Sequence, residues 1–161
     1  MTVVQTYVAG IRADGELQYQ ARSGRSVRFQ PLHMPQSPLD RACGVHALLI
    51  AYALVTRTPR STLEGLADRS RGQWQAFWSH ARSLYFSGAT PKDLDLCASV
   101  LNGISTRVVR TDTEEKLFKV CASAIEKGAV PLLDLHGPSL AHWSVCLGVE
   151  LRSGKPSALL C

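Results

Sequence analysis

The longest apolar stretch of the chain, ACGVHALLIAYALV at 42–55, constrains the fold most strongly. Its length of about 14 residues is too short to cross a bilayer, which takes about 20. The stretch therefore predicts an apolar helix within a globular domain, from about Arg41 to Val55. Asp40 is predicted to be the N-cap residue of this helix.

Composition places the chain among ordinary globular proteins. Its 161 residues are 45% hydrophobic and 19% charged, which predicts one domain over 1–161 with a sizeable core. The formal net charge is +5, but the basic residues are scattered rather than clustered in a stripe. We therefore expect no nucleic-acid partner, and only a weak preference for acidic ones.

The N-terminal residues lack the basic segment and apolar run of a signal peptide. We therefore expect a cytoplasmic protein, or one exported without a cleaved signal, with no membrane segment. The chain stops inside an apolar segment that reads as a strand, so we also expect a final piece of the domain beyond Cys161.

The cysteine pattern argues against cross-links and metal. The five cysteines are an odd number, stand far apart and form no CxxC pair, which argues against a disulfide framework and a zinc site. We expect no metal and no cofactor. Cys97, Cys121 and Cys146 each lie in apolar segments and are predicted to be small core residues.

Hydrophobic periodicity and turn signals predict an α+β chain, with a helical half followed by an antiparallel sheet half. Residues 1–32 are predicted to form an N-terminal β-hairpin segment, because DG and SG turns interrupt alternating residues. Helices are predicted over 41–55, 61–68, 73–86, 90–102 and 112–128, and strands over 104–110, 129–136, 142–151 and 157–161.

The helix start at Cys43 suggests nucleophilic chemistry. The positive end of a helix stabilises a thiolate, which is the reactive form of cysteine. A thiolate enzyme also needs a base, and His142 is the best candidate because it follows a glycine/proline turn. Gln36 and the Cys43 backbone N–H are the candidate donors to an oxyanion.

Each candidate also has a structural interpretation. Cys43 could be a core thiol, His142 a strand-edge histidine and Gln36 a turn residue. His136 is the second candidate base, and a metal shared by Cys43 and His46 is poorly supported by two ligands alone.

Aromatic residues raise a similar choice between core and binding surface. Trp74, Phe77 and Trp78 have helical spacing, which favours core packing over a binding wall. Trp143 either shields a Cys–His pair from water or simply packs.

The stretches QSPLDRACGVHALLIAYAL, TPKDLDLCASVLNG, IEKGAVPLLDLH and HWSVCLGVE resemble papain-like cysteine peptidases. They are most similar to the bacterial branch with the double-glycine leader peptidases, and the resemblance covers roughly residues 28–161. It implies a papain-like fold in which the nucleophile helix packs on the sheet half. It also implies Cys43 as nucleophile, His142 as base and Gln36 as oxyanion-hole residue.

The sequence departs from that family in two places. Gln36 lies seven residues before Cys43, where six is commoner. The family's acidic or amide residue after the histidine strand would fall at or beyond Cys161, and no Asp or Asn follows His142. The acid then lies beyond the chain's end, or a Cys–His dyad operates, or the site is inactive; Asp134 is the residue that could be recruited.

The leading expectation is therefore a cysteine peptidase that hydrolyses peptide or isopeptide bonds through an acyl-enzyme. The resemblance further implies small residues such as glycine before the cut. Two alternatives stay open: an acyltransferase or transglutaminase-like enzyme, and a catalytically degenerate binding module. The expected partners are a peptide or protein substrate, and a partner domain or effector target.

Overall fold

The structure, a computed structural model, describes residues 2–33, 41–68, 71–137 and 140–161. Its helices are α1 (Cys43–Thr56), α2 (Arg60–Glu64), α3 (Gly72–Ala81), α4 (Leu84–Ser87), α5 (Pro91–Ser99) and α6 (Glu114–Glu126). Its strands are β1 (Val3–Tyr7), β2 (Ile11–Asp14), β3 (Glu16–Ser23), β4 (Ser26–Pro31), β5 (Leu132–Gly137), β6 (Leu140–Val145), β7 (Gly148–Arg152) and β8 (Lys155–Leu160). The α+β class and the antiparallel sheets are confirmed.

The strands form three antiparallel sheets, in the orders β1-β7-β8, β2-β3-β4 and β5-β6. The N-terminal strands are divided between two of them. Whereas β2, β3 and β4 pair with one another, β1 pairs with β7 in a register from Val3↔Arg152 to Tyr7↔Gly148. The first strand is thus built into the C-terminal sheet rather than into an N-terminal hairpin, and this joins the two ends of the described chain.

Helix α1 lies in the main core, as its apolar sequence predicts. Most of its residues are buried, and they pack with β3, α3, α5 and the inner face of β6. A second, smaller core lies between α6 and the strands β5 and β7. No helix in the described ranges is long and apolar enough to cross a membrane.

The start of α1 differs from the prediction. The helix begins at Cys43, so its N-cap position is Ala42, and no described side chain caps it. The predicted N-cap residue, Asp40, lies outside the described residues. Instead, the backbone N–H of Arg41 donates to the Tyr85 carbonyl at 2.7 Å, which ties the entry of α1 to α4.

Several predicted elements need correction. The predicted helix over 61–68 is shorter and begins one residue earlier: α2 spans Arg60–Glu64, and Glu64 pairs with Arg60 at 2.6 Å. Residues 104–110, all described, run as an irregular connection instead of the predicted strand. The predicted helix over 73–86 is divided into α3 and α4, and the predicted strand over 142–151 into β6 and β7.

Helix α5 has the N-terminus that the sequence predicts. Thr90 caps it, Pro91 follows, and the Thr90 hydroxyl and backbone N–H both donate to the Asp93 carboxylate. These two hydrogen bonds lower the pKa of Asp93 below its ordinary value, because they stabilise the charged carboxylate.

We expect Thr90→Ala to lower the free energy of unfolding by about 1 kcal/mol at neutral pH, through loss of the cap. When folding lowers the pKa of a carboxylate, the carboxylate stabilises the fold at pH values above its unfolded-state pKa. This contribution disappears as the pH falls through the folded-state pKa. The difference between variant and wild type should therefore shrink below about pH 3.8, the ordinary value for Asp. Urea unfolding at several pH values measures it. Ser79→Ala, which removes an exposed hydroxyl in the last turn of α3, is the control and should change stability by less than about 0.5 kcal/mol.

Candidate functional site

Cys43 is the first residue of α1 and is half-buried against the main core. The first backbone N–H groups of a helix have no partners within the helix, so they can stabilise a negative charge. A thiolate or an oxyanion at Cys43 would lie at this positive end. The position agrees with the prediction that a cysteine opens the apolar helix.

The residue after Cys43 contacts the residue after His142. Gly44 is buried, and a Cβ atom added to it would lie 3.0 Å from both Trp143 Cδ1 and Ala89 Cβ. Trp143 is 9% exposed, and its indole N–H donates to the Ala89 carbonyl at 2.8 Å. This packing holds the middle of β6 against the first turn of α1, and Trp143 packs there as a core residue.

Strand alternation nevertheless places His142 and Trp143 on opposite faces of β6. Trp143 pairs with Asp134, whereas His142 pairs with Leu135. His142 is exposed and shares its face with Ser144, on the side of the smaller core. The structure thus brings the first turn of α1 against β6 but directs His142 away from the Trp143 face that packs on α1.

The histidine on the Trp143 face is His136. Its Nε2 lies 2.7 Å from Asp134 Oδ1, and the side chains are 68% and 27% exposed for His136 and Asp134. The two residues are two apart on β5, so they share a face, and Asp134 is directly opposite Trp143. From the sequence, His136 and Asp134 are separate candidates, and the structure shows them as a pair. The D-x-H spacing within a predicted strand is the signal that would have found it.

Other predicted site residues have simpler surroundings. Gln36 lies outside the described residues. His46 packs its ring edge-on against Tyr85, with 5.9 Å between ring centroids. Among the residues that the structure describes, no group of three or more His, Cys, Asp or Glu is arranged to hold a metal ion.

The aromatic stripe of α3 packs in the core, as predicted. Phe77 is completely buried, and Trp74 and Trp78 pack against the main core. Each tryptophan makes an edge-to-face contact at 5.4 Å, Trp74 with Tyr52 and Trp78 with Tyr85. The stripe therefore supports the helical half rather than a binding surface.

The chain was compared with protein families, curated proteins and solved structures. No family model, curated protein or solved structure matches the chain.

Proposed function

We propose that the chain is a papain-like cysteine peptidase, a thiol hydrolase of peptide or isopeptide bonds, with Cys43 as its nucleophile. The observation that carries the proposal is the packing of Trp143 on Gly44. It holds a histidine-bearing β-hairpin, β5–β6, beside the positive end of a helix that begins with a cysteine. A cysteine enzyme needs this neighbourhood of thiol, helix end and imidazole.

The proposed reaction has two stages, acylation of Cys43 and hydrolysis of the acyl-enzyme. Cys43 Sγ attacks the substrate carbonyl carbon, and a histidine takes the thiol proton. The backbone N–H of Cys43 and the side-chain amide of Gln36 donate to the resulting oxyanion. The histidine returns the proton to the leaving amine as the C–N bond breaks. Water then attacks the thioester and releases the acid product and the thiol.

Two histidines of the β5–β6 hairpin are candidates for the base. His142 is the proposed base by resemblance, and it lies next to the Trp143 anchor in sequence. His136 is the second candidate, because it shares the Trp143 face and has a carboxylate partner in Asp134. If His136 donates its Nε2–H to Asp134, its Nδ1 carries the lone pair that accepts a proton. Asp134 would then supply the acid for which the sequence after His142 offers no residue.

A peptide library digested with the purified chain tests the proposed activity, with product ends identified by mass spectrometry. We expect cleavage by the wild type and by Cys161→Ser, a control that removes an exposed thiol elsewhere, but none by Cys43→Ser. Cleavage that persists in Cys43→Ser would overturn the role of Cys43. A library without any Cys43-dependent cleavage would overturn the peptidase assignment in favour of a binding module.

The acceptor of the acyl group is tested in the same digest by adding a primary amine. Hydrolysis should give mainly products that end in a free carboxylate, because water is the proposed acceptor. Mainly amide products, dependent on Cys43, would replace the hydrolase by an acyltransferase.

A further inference from the structure

Three thiols meet at the edge of the smaller core. Cys121 lies on α6, Cys146 lies between β6 and β7, and Cys161 follows β8. Cys146 is completely buried and is in hydrogen-bonding contact with both Cys121 and Cys161. Its thiol also donates a hydrogen bond to the Gly148 carbonyl oxygen at 3.3 Å. The sequence predicted Cys121 and Cys146 as separate core residues, and their contact with Cys161 is a finding of the structure.

The backbone holds Cys146 and Cys161 side by side. The residue after Cys146, Leu147, donates its backbone N–H to the carbonyl of Leu160, the residue before Cys161, at 2.7 Å. Gly148 pairs with Leu160 in the β7–β8 ladder. The sheet therefore holds the backbones of Cys146 and Cys161 next to each other, whatever the rotation of their side chains.

Cys161 is the accessible member of the cluster. It is exposed and lines a cleft of about 460 Å³ with mostly apolar walls, among them Tyr7, Leu17 and Leu159. The Cys146 thiol and the Ser144 hydroxyl donate to its sulfur, which lowers the pKa of Cys161 to about 7 against the effect of desolvation. A substantial fraction of this thiol is therefore thiolate at neutral pH.

Cys146 has the opposite character. Its hydrogen bonds to the neighbouring sulfurs, together with burial, raise the pKa of Cys146, so it stays protonated. The one Cys146 S–H proton is shared among the Gly148 carbonyl and the two neighbouring sulfurs, and of these sulfurs Cys161 is the exposed one, which Ser144 also supports. An exposed thiolate beside a buried thiol has the arrangement of an oxidisable cysteine with its resolving partner.

We propose that Cys161 and Cys146 form a peroxide-sensitive thiol pair. The Cys161 thiolate attacks a hydroperoxide oxygen, the O–O bond breaks, and the alcohol or water leaves after taking a proton. Cys161 becomes a sulfenic acid. The Cys146 sulfur then attacks the Cys161 sulfur, and the hydroxyl group leaves as water with the Cys146 proton. The peroxide is reduced by two electrons, and the two thiols are oxidised to a disulfide that links β8 to the β6–β7 connection. The pair does not depend on the proposed function of Cys43.

Hydrogen peroxide added to the reduced full chain near neutral pH tests this proposal, followed by alkylation and non-reducing tryptic mapping. Cleavage after Arg152 separates Cys146 from Cys161, so a linked peptide identifies their disulfide. We expect this peptide in the wild type and in Cys43→Ser. In Cys146→Ala the linked peptide should be absent. Added dimedone should instead trap the Cys161 sulfenic acid, because the thiol that would convert it to a disulfide has been removed.

Cys97 is the internal reference, since it is buried in the main core and burial raises its pKa to about 11. We expect Cys161 to be oxidised at least about tenfold faster than Cys97. Equal rates, or a Cys161 sulfenic acid in the wild type that never links to Cys146, would overturn the proposal. A Cys121–Cys146 link without involvement of Cys161 would also overturn it.

Discussion

We expect Gly148→Ala to destabilise the fold more than Gly44→Ala does. A Cβ atom at Gly148 would lie 2.5 Å from the Thr6 carbonyl oxygen, and at 3.1 and 3.2 Å from Tyr7 Cδ1 and Leu160 Cδ1. The nearest of these is a backbone atom, which cannot rotate away. Strand β1 would have to separate from β7, so we expect the free energy of unfolding to fall by about 3 kcal/mol.

Urea unfolding of Gly148→Ala beside Gly65→Ala measures this effect. Gly65 is the matched control, because the nearest atom to an added Cβ there is the Ser61 carbonyl oxygen at 3.9 Å and its φ is −91°. The control should shift the unfolding midpoint only slightly. A Gly148→Ala midpoint as high as that of Gly65→Ala would contradict the observed pairing of β1 with β7.

Gly44→Ala is expected to disturb both the core and the candidate site. The added methyl would lie 3.0 Å from Trp143 Cδ1 and from Ala89 Cβ, and 3.4 Å from Leu94 Cδ2. These atoms are tightly packed around the start of α1, so either the helix or β6 has to move. We expect a loss of about 2 kcal/mol in the free energy of unfolding and slower alkylation of Cys43.

A double-mutant cycle with Trp143→Phe identifies the contact responsible. The smaller ring should relieve part of the crowding around the added methyl. The double variant should therefore lose less stability than the sum of the losses in Gly44→Ala and Trp143→Phe. Trp143→Phe alone should cost about 1 kcal/mol, because the Ala89 carbonyl loses the indole donor. Strictly additive losses would contradict the contact between Gly44 and Trp143.

Local sequence patterns predicted the helices better than the sheets. The apolar run at 42–55 and the Thr90-Pro91 start of α5 each produce their helix from nearby residues alone. The partner of β1 depends on β7, about 140 residues away, and alternation within β1 contains no information about it. The irregular connection at 104–110 shows the same limit, since β-branched residues form a strand only where a partner is present.

The candidate site shows which part of a catalytic arrangement a sequence can predict. The position of Cys43 at a helix start followed from the apolar run after it. The face of His142 did not, because a shift of one residue in a strand reverses every side chain. The contact of Cys146 with Cys161 depends on the β7–β8 pairing, so an apolar segment could predict burial of Cys146 but not its neighbour.

The rate of iodoacetamide alkylation of each cysteine, resolved by peptide mass spectrometry, tests the central claim most directly. The wild type is compared with His142→Ala, His136→Ala and Asp134→Asn near pH 6, where ordinary thiols are almost entirely protonated. All four carry Cys161→Ser, so that the other reactive thiol is absent. A nucleophile at Cys43 should react at least about tenfold faster than Cys97 and lose this advantage when its histidine is removed.

The variant that abolishes the fast reaction identifies the base. Loss in His142→Ala alone supports the histidine proposed by resemblance, whereas loss in both His136→Ala and Asp134→Asn assigns the base to the β5 pair. If Cys43 reacts no faster than Cys97 in the wild type, or reacts equally fast in all variants, the proposed thiol–imidazole site is contradicted.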